Sequence, residues 1–493
     1  MALIMGMSVL VAAVSVVPLP QTLDMREGTL LAKGAKITES VDPSLAAEGY
    51  RLTVGPDGVA IAAADAAGAF YARETLKQLE TDGRWPCCRI VDAPAYRWRG
   101  VMIDEARHFL GKSAVKRLLD QMAAYKLNVL HWHLTDDQGW RIEIKRHPEL
   151  VEYGAVRPRS VKYGCPTVWK GGRPNWVFDN DRYGPFWYSH EDIREILAYA
   201  KARHVTVVPE IELPGHERAL LAAHPEFSCK GNLARVPKIG WGIDEEVVCV
   251  GNDAAMKLLE DVFDEVCELF PDAPYIHIGG DECPRTRWET CPKCQARLKA
   301  EKLSGASALQ TWMTSRFVRY LERKGRRAVG WDEVLVGDVP RSTVGMSWRN
   351  GAKDGAKTSF VSAAEAVRRG FDMVMTPNDR TYLSRPQGFA NDPYPHFSPG
   401  GPSITLKTAY AFDPMAGLPS EGRAHVLGGQ ASVWGEYVWN AADLECTAEV
   451  GEQPLPTAAE PSAAAVVSWR RKGECSAVAA SLSLSTPLRR SLL

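Results

Sequence analysis

The sequence predicts a (β/α)8 TIM barrel preceded by a small α+β domain. Eight short β-rich runs alternate with helical runs over about 350 residues, a length typical of a barrel with insertions. Polar or aromatic residues stand at the C-terminal end of nearly every run, on the face where barrel sites are built. An open, doubly wound sheet is the alternative topology. The predicted strands are residues 100–104, 128–134, 205–211, 274–280, 327–331, 343–348, 372–376 and 424–433.

Several of the segments between these runs show the periodicity of an amphipathic helix. Residues 113–126 place apolar side chains at helical spacing. Ser189 is a suitable N-cap for a helix that ends near Arg203. The patterns of residues 254–270 and 306–324 predict two further amphipathic helices.

The chain divides into four parts by composition. Residues 1–17 are apolar and uncharged, which resembles the hydrophobic part of a secretion signal and favours an extracytoplasmic location, although no Lys or Arg precedes them. A buried first strand is the alternative for this segment. Residues 18–95 predict the small α+β domain, residues 96–452 the barrel, and the Ala- and Ser-rich residues 453–493 a weakly ordered tail.

The small domain is predicted from a hairpin and a helix. Pro56-Asp57-Gly58 is a turn sequence between two β-rich runs, which indicates a hairpin. Residues 63–80 then read as one helix.

Composition excludes several classes of partner. The chain has 493 residues, 45% of them hydrophobic and 24% charged, with a net charge of -1. This balance is ordinary for a globular protein and gives no attraction to nucleic acid or to an anionic membrane. No stretch after the leading segment approaches the roughly 20 apolar residues of a transmembrane helix. No cofactor is predicted, and the oligomeric state is left open.

The cysteines do not predict a metal site. There are eleven, an odd number that cannot all pair within the chain. Cys283, Cys291 and Cys294 lie close together, and the last two form a CxxC. Because a second CxxC or a His pair at zinc spacing is missing, buried thiols or a local disulfide are favoured.

An adjacent pair of acids follows one predicted strand, in the run His277-Ile-Gly-Gly-Asp281-Glu282. Two glycines allow a sharp turn and the close approach of a ligand. Successive side chains on a strand face opposite ways, so both acids serve one site only if the strand ends and the chain bends here. A solvated turn is the alternative interpretation.

Six segments together resemble glycoside hydrolase family 20, the β-N-acetylhexosaminidases. They occur in the family's order over roughly residues 97–440. The resemblance implies a barrel behind a small α+β domain. The segments are Trp98-Arg-Gly-Val-Met-Ile-Asp104, His131-Trp-His-Leu-Thr-Asp-Asp-Gln-Gly-Trp140, Val208-Pro-Glu-Ile-Glu-Leu-Pro-Gly-His216, His277-Ile-Gly-Gly-Asp-Glu282, Gly330-Trp-Asp332 and Gly428-Gly-Gln-Ala-Ser-Val-Trp434.

The resemblance implies an exo-acting, retaining enzyme that removes terminal N-acetylglucosamine or N-acetylgalactosamine from glycans or chitooligosaccharides. Glu282 would be the general acid and then the base, whereas Asp281 would stay ionised and orient the substrate acetamide. Tyr382 would hydrogen-bond the acetamide oxygen. The nucleophile would be that oxygen, through an oxazolinium intermediate. A catalytically impaired sugar-binding protein of the same fold is the alternative function.

The resemblance also implies how the sugar is held. Three tryptophans would wall the pocket, two charged residues would bind hydroxyls, and an acid–histidine pair would support Glu282. These groups are, in turn, Trp331, Trp348 and Trp434; Arg99 and Glu436; and Asp136 and His216.

Three features depart from the family. Ser384 stands where members often have an acid that contacts the sugar's 6-hydroxyl. The leading domain is shorter than usual. After residue 452 the tail replaces an expected helix, and we predict reduced stability; a melt above about 65 °C would contradict this.

Overall fold

The first unit of the structure is a five-stranded sheet with one helix. The computed structural model describes residues 16–163, 168–170, 173–349, 359–386 and 403–447. Neighbouring strands are antiparallel except for the last pair, which is parallel. In sheet order the strands are Thr22–Leu31, Arg84–Asp92, Tyr50–Gly55, Gly58–Ala63 and Ile37–Val41.

The predicted hairpin and helix of this unit are both present. Gly55 pairs with Gly58 at the hairpin turn. The helix spans Ala66–Leu79 and is capped by the Asp65 side chain, which accepts a hydrogen bond from the amide of Gly68. Its apolar face packs on alternate residues of the two hairpin strands, so that this unit has its own core.

Eight parallel strands close into a barrel, which confirms the predicted fold and excludes the open sheet. The last strand pairs with the first from Gly428 opposite Trp98 to Val433 opposite Ile103. Each predicted β-run overlaps one of these strands. In chain order the barrel strands one to eight are Trp98–Asp104, Val129–His133, Thr206–Glu210, Tyr275–His277, Arg327–Trp331, Val344–Ser347, Asp372–Met375 and Val426–Val433.

Helices occupy most of the connections between barrel strands. The fifth connection differs, because residues 332–343 hold only a 3-10 turn, Asp332–Leu335. The α-helices from the first strand onwards are Lys112–Ala124, Glu149–Gly154, His190–Lys201, Arg218–Ala223, Asp253–Leu269, Thr286–Thr290, Pro292–Ala300, Ala306–Arg323, Ala363–Arg368, Leu406–Tyr410 and Ala441–Thr447. Further 3-10 turns are Pro225–Phe227, Ser420–His425 and Gly435–Tyr437, and two short ladders join Thr135–Asp136 to Gly139–Trp140 and Val168–Lys170 to Arg173–Asn175.

The helix predicted to begin after Ser189 shows how local sequence fixes an element. The Ser189 hydroxyl accepts from the amide of Asp192 at 3.1 Å, and the Asp192 carboxylate accepts from the Ser189 amide at 3.2 Å. This reciprocal capping box satisfies two donors that the first helical turn leaves without partners. The predicted N-terminus is therefore confirmed.

Buried polar contacts join the sheet unit to the N-terminal end of the barrel. Lys126 Nζ lies 2.9 Å from Asp92 Oδ2 and 2.8 Å from the Tyr50 hydroxyl. Arg99 donates to Glu48 Oε2 at 2.5 Å. A buried charge needs such a partner, so these contacts fix the two units against each other.

Some predictions fall outside the described residues. They include the tail at residues 453–493 and most of the leading apolar segment, of which Val16 is buried in the core of the sheet unit. The domain limits at residues 17, 95 and 452 stay predictions. Within the described ranges, no helix is both long enough and apolar enough to cross a bilayer.

Candidate active site

The chain bends sharply at the carboxyl end of the fourth barrel strand. Gly279, Gly280 and Glu282 have φ values of 59°, 102° and 45°. A Cβ at Gly279 would overlap the buried Glu212 carboxylate, so only glycine fits there. Glu282 is not a glycine and bears a backbone conformation that costs about 1–3 kcal/mol, as is common at functional sites. The bend brings both acids, Asp281 and Glu282, to one site.

His216 links the acid pair to a buried carboxylate. Its Nε2 is 3.7 Å from Asp281 Oδ2 and 3.7 Å from Glu282 Oε2. Its Nδ1 is 3.2 Å from Asp136 Oδ1. Burial opposes a charge on this ring, but the carboxylates of Asp136 and Asp281 outweigh burial and raise the pKa of His216 well above its ordinary value. His216 is therefore a cation that faces both acids.

A second buried network lies around Glu210. Its Oε1 is 2.6 Å from His277 Nδ1 and accepts a hydrogen bond from Trp331 Nε1 at 3.1 Å. Its Oε2 contacts His133 Nδ1, and His133 Nε2 is 3.0 Å from Asp136. Burial lowers the pKa of His133, yet the Glu210 charge prevails and raises it to about 10. The network thus fixes the orientation of Trp331 through its indole N–H.

Aromatic rings cluster beside the acid pair, where Tyr382 interacts electrostatically with Asp281 and Glu282. The rings of Trp331 and Trp434 lie 5.6 Å apart, and those of Tyr382 and Trp434 lie 6.0 Å apart. Trp348 and Trp434 both pack against the hydrophobic cluster that contains Tyr382. Tyr382 is held beside the last barrel strand by a bridge to Ser432. The structure therefore brings all three predicted tryptophans and the tyrosine together, and these four side chains are called the aromatic cage below.

Arg99 is not at this site, and its predicted role in binding sugar hydroxyls is wrong. It is the second residue of the first barrel strand and therefore lies at the opposite end of the barrel. There its guanidinium donates to the carbonyls of Lys126 and Tyr96 and to Glu48. The guanidinium thus contacts the sheet unit and its junction with the barrel.

Arg107 is an arginine of the site that was not predicted from the sequence. Its Nη2 is 2.7 Å from Asp136 Oδ2, and its guanidinium carbon lies 5.0 Å from the centre of a Trp434 ring. It also interacts electrostatically with Glu436. Arg107 follows the first barrel strand by three residues, and that position on the C-terminal face was the signal that could have identified it. Glu436 is brought to the same place, as predicted.

Glu333 is a second residue that the sequence did not single out. Its Oε1 accepts a hydrogen bond from the Glu282 amide at 3.2 Å, and its Oε2 accepts one from Trp348 Nε1 at 3.2 Å. Its carboxylate also contacts Arg349. One buried carboxylate thus positions the backbone of Glu282 and one wall of the aromatic cage.

The two acids differ in environment, but in the opposite sense to the prediction that Asp281 is the ionised acid. The Asp281 side chain is 12% exposed and that of Glu282 37%. Burial, with the nearby charges of Glu333 and Glu282, raises the pKa of Asp281 to about 8. Burial also acts on Glu282, but His216, Arg107 and Arg349 outweigh it and lower its pKa. These opposite shifts of the two pKa values favour a shared proton on Asp281 rather than on Glu282.

An acid pair beside aromatic side chains on the C-terminal face of a barrel is typical of the active site of a glycoside hydrolase. The chain matches "Glycosyl hydrolase family 20, catalytic domain" over residues 96–448 and "Glycosyl hydrolase family 20, domain 2" over residues 32–93. The chain therefore belongs to glycosyl hydrolase family 20.

Similar proteins carry related names. A β-hexosaminidase of Porphyromonas gingivalis is 38% identical over 407 residues, which are 80% of this chain and 48% of the relative. A β-hexosaminidase of Akkermansia muciniphila is 31% identical over 90% of this chain and 87% of its own length. The crystal structure of a Vibrio harveyi family 20 exo-β-N-acetylglucosaminidase with N-acetylglucosamine superimposes with a TM-score of 0.73, at 29% identity, over 88% of this chain and 71% of that one. The chain thus spans about half the length of the first of these relatives.

Proposed function

We propose that this protein is an exo-acting β-N-acetylhexosaminidase that releases terminal N-acetylglucosamine or N-acetylgalactosamine from glycans or chitooligosaccharides. One observation carries the proposal. Asp281 Oδ1 is buried beside the aromatic cage, and among the described residues it has no hydrogen-bond partner. A buried carboxylate oxygen without a donor is costly, and an acetamide N–H would supply that donor.

The proposed mechanism uses the acetamide of the substrate as the nucleophile. Its carbonyl oxygen attacks the anomeric carbon, while Glu282 protonates the departing glycosidic oxygen; water activated by Glu282 then opens the oxazolinium ion with net retention. Tyr382 aims the acetamide oxygen, and Asp281 stabilises the positive charge that develops on the amide nitrogen. A well-oriented intramolecular attack has an effective molarity of about 10⁵ M or more.

The proton must move from Asp281 to Glu282 when the substrate binds. The acetamide N–H donates to the ionised form of Asp281, and such a bond favours that form. A glycosidic oxygen next to Glu282 conversely accepts a hydrogen bond only from the protonated acid. His216 faces both carboxylates at 3.7 Å, so it offers a short relay between them. We infer that substrate binding sets the order of pKa values that catalysis needs.

The rest of the cage supports the choice of a sugar substrate. Glu436 Oε2 is buried without a hydrogen-bond partner among the described residues, and Arg107 lies beside this carboxylate. A hydroxyl-rich ring would satisfy both groups, while the indole faces pack on its apolar C–H surface. The solved Vibrio harveyi relative holds N-acetylglucosamine, which agrees with this class of ligand.

Replacement of Glu282 by Gln tests the proposal. We expect Glu282→Gln to lower kcat for a chromogenic N-acetyl-β-glucosaminide by at least about 10²-fold, the usual contribution of a positioned acid, while N-acetylglucosamine still binds. Glu289→Gln, on the exposed face of the short helix Thr286–Thr290, is the matched control and should keep full activity.

The alternative, a sugar-binding protein without turnover, makes a different forecast. It requires that the unaltered protein bind N-acetylglucosamine in calorimetry but release no chromophore. No observation on the described residues favours it, since Tyr382 interacts electrostatically with both Asp281 and Glu282.

A further inference from the structure

Four cysteines from distant parts of the chain meet in one cluster outside the catalytic site. Cys249 Sγ lies 3.6 Å from Cys291 Sγ and 3.6 Å from Cys294 Sγ. Cys229 Sγ lies 3.8 Å from Cys294 Sγ. All four sulfur atoms fall within 4.8 Å of one another, and all but that of Cys229 belong to buried residues.

These separations match those around a tetrahedral metal ion. Four thiolates at about 2.3 Å from zinc stand about 3.8 Å from one another at the tetrahedral angle. A disulfide would instead need about 2.05 Å, and all four cysteines are free thiols. Hydrophobic packing alone has no reason to gather four sulfur atoms at one point.

The surroundings of the cluster favour thiolates. The amide of Gly251 donates to the sulfur atoms of both Cys249 and Cys294. A Cβ at Gly251 would overlap the backbone of Lys293 and Cys294, so glycine is what lets this amide approach. Donors of this kind stabilise the charged sulfur that binds metal.

We propose that Cys229, Cys249, Cys291 and Cys294 bind one structural zinc ion. Thiolate ligands in a closed tetrahedron select zinc among the common divalent ions and leave no open position for a substrate. This inference goes beyond the proposed function and does not depend on it.

The site would join two loops on the catalytic face of the barrel. Cys229 and Cys249 lie in the connection after the third barrel strand, which also carries His216. Cys291 and Cys294 lie in the connection after the fourth strand, which begins with the acid pair. Other contacts join the same loops, including a hydrogen bond of 3.0 Å from Trp288 Nε1 to the carbonyl of Val248. A metal ion there would hold the two loops in register.

Metal analysis of the full chain, purified without a tag or a metal-affinity step, tests the proposal. We expect about one zinc per chain by mass spectrometry, in line with a four-ligand structural site. The zinc content of Cys249→Ser should be at least about tenfold lower, because a serine hydroxyl is a poor zinc ligand. Cys267→Ser is the matched control: Cys267 is half-buried on the neighbouring helix, is not one of the four, and should leave the zinc content unchanged.

Cobalt binding keeps the test open if Cys249→Ser does not fold. The reduced, zinc-depleted native chain should bind about one Co²⁺ with a thiolate charge-transfer band, and zinc should displace it. Absence of zinc together with absence of this band would overturn the proposal. So would a disulfide between any two of the four cysteines in the purified protein, shown by peptide mass mapping.

Discussion

At the residue scale, Asp281 and Glu282 hold one proton between them. His216 and two arginines keep Glu282 ionised, whereas burial keeps Asp281 protonated up to about pH 8. In the proposed mechanism the productive form has the proton on Glu282, and it is reached by moving that proton within the pair. Under this mechanism we expect activity to persist while the pair keeps one proton and to be lost once the last proton leaves.

This sharing predicts the pH dependence of kcat/KM, which reports groups of the free enzyme. The basic limb should fall with a midpoint near 8, the pKa of Asp281. Asp281→Asn removes the acid that holds the proton, and Glu282 is then the only acid left in the pair. Because the pKa of Glu282 lies below its ordinary value, the basic limb of the profile should move to lower pH. We also expect kcat to fall by about 10²-fold or more from the lost stabilisation of charge. An Asp281→Asn profile with the limb still near 8 would contradict the assignment.

Arg107 and Arg99 form a matched pair for a second measurement. Arg107→Lys keeps the positive charge beside Glu436 but removes the planar guanidinium with its paired N–H donors. KM should therefore rise by about tenfold to a hundredfold, which corresponds to the loss of one or two charged hydrogen bonds. Arg99→Lys should leave KM unchanged and lower only the melting temperature, because its partners are Glu48 and two backbone carbonyls at the far end of the barrel. A change of KM in Arg99→Lys alone would reverse this conclusion.

At the element scale, the conformation of the loop after the fourth barrel strand depends on a glycine, Gly279. Gly279 combines a positive φ with contact against Glu212, whose carboxylate is buried and has no hydrogen-bond partner among the described residues. The Glu212 carboxylate has little free space into which it could move, because the residue is only 1% exposed and protein interiors are close-packed. The position of the acid pair therefore depends on a residue without a side chain.

Gly279→Ala should destabilise the protein far more than the same change at Gly305. Gly305 also has a positive φ, 84°, but a Cβ there would meet open space. Its substitution should cost only the backbone penalty of about 1–2 kcal/mol. Gly279→Ala adds overpacking, for a total of about 3 kcal/mol or more in urea unfolding. Equal losses at the two positions would show that the contact with Glu212 is unimportant.

The sequence predicted elements better than it predicted side-chain partners. Hydrophobic periodicity is local, so the eight strands and the helix after Ser189 were within its reach. Whether an arginine near the first strand reaches the site depends on which end of the strand it is near: Arg99 is the second residue of the strand, whereas Arg107 follows its end. The cysteine cluster joins residues 65 positions apart along the chain. No local pattern links Cys229 to Cys294, and only the folded loops bring them together.

At the scale of the whole molecule, the sheet unit is fastened to the barrel end opposite the site. Lys126 is buried between Asp92 and Tyr50, and its pKa is lowered chiefly by that burial. Removal of the ammonium leaves the Asp92 carboxylate buried without its cation, which typically costs about 3–5 kcal/mol. The cost falls on the junction rather than on either core.

Lys126→Met should therefore uncouple the two units. We expect calorimetry to show the sheet unit melting in a separate, earlier transition, with the barrel transition little changed. The control is Lys77→Met, which removes a lysine whose side chain is 71% exposed and whose ion pair with Glu74 contributes little. One unshifted transition in Lys126→Met would mean that the junction does not depend on this ion pair.

The most direct test of the central claim compares two substrates that differ only in the 2-substituent of the sugar. If the substrate's own acetamide is the nucleophile, kcat/KM for 4-nitrophenyl N-acetyl-β-glucosaminide should exceed that for the 4-nitrophenyl β-glucoside by at least about 10³-fold, given the effective molarity of an oriented internal group. Equal rates for the two glycosides would contradict the account, since the enzyme would then be supplying the nucleophile itself.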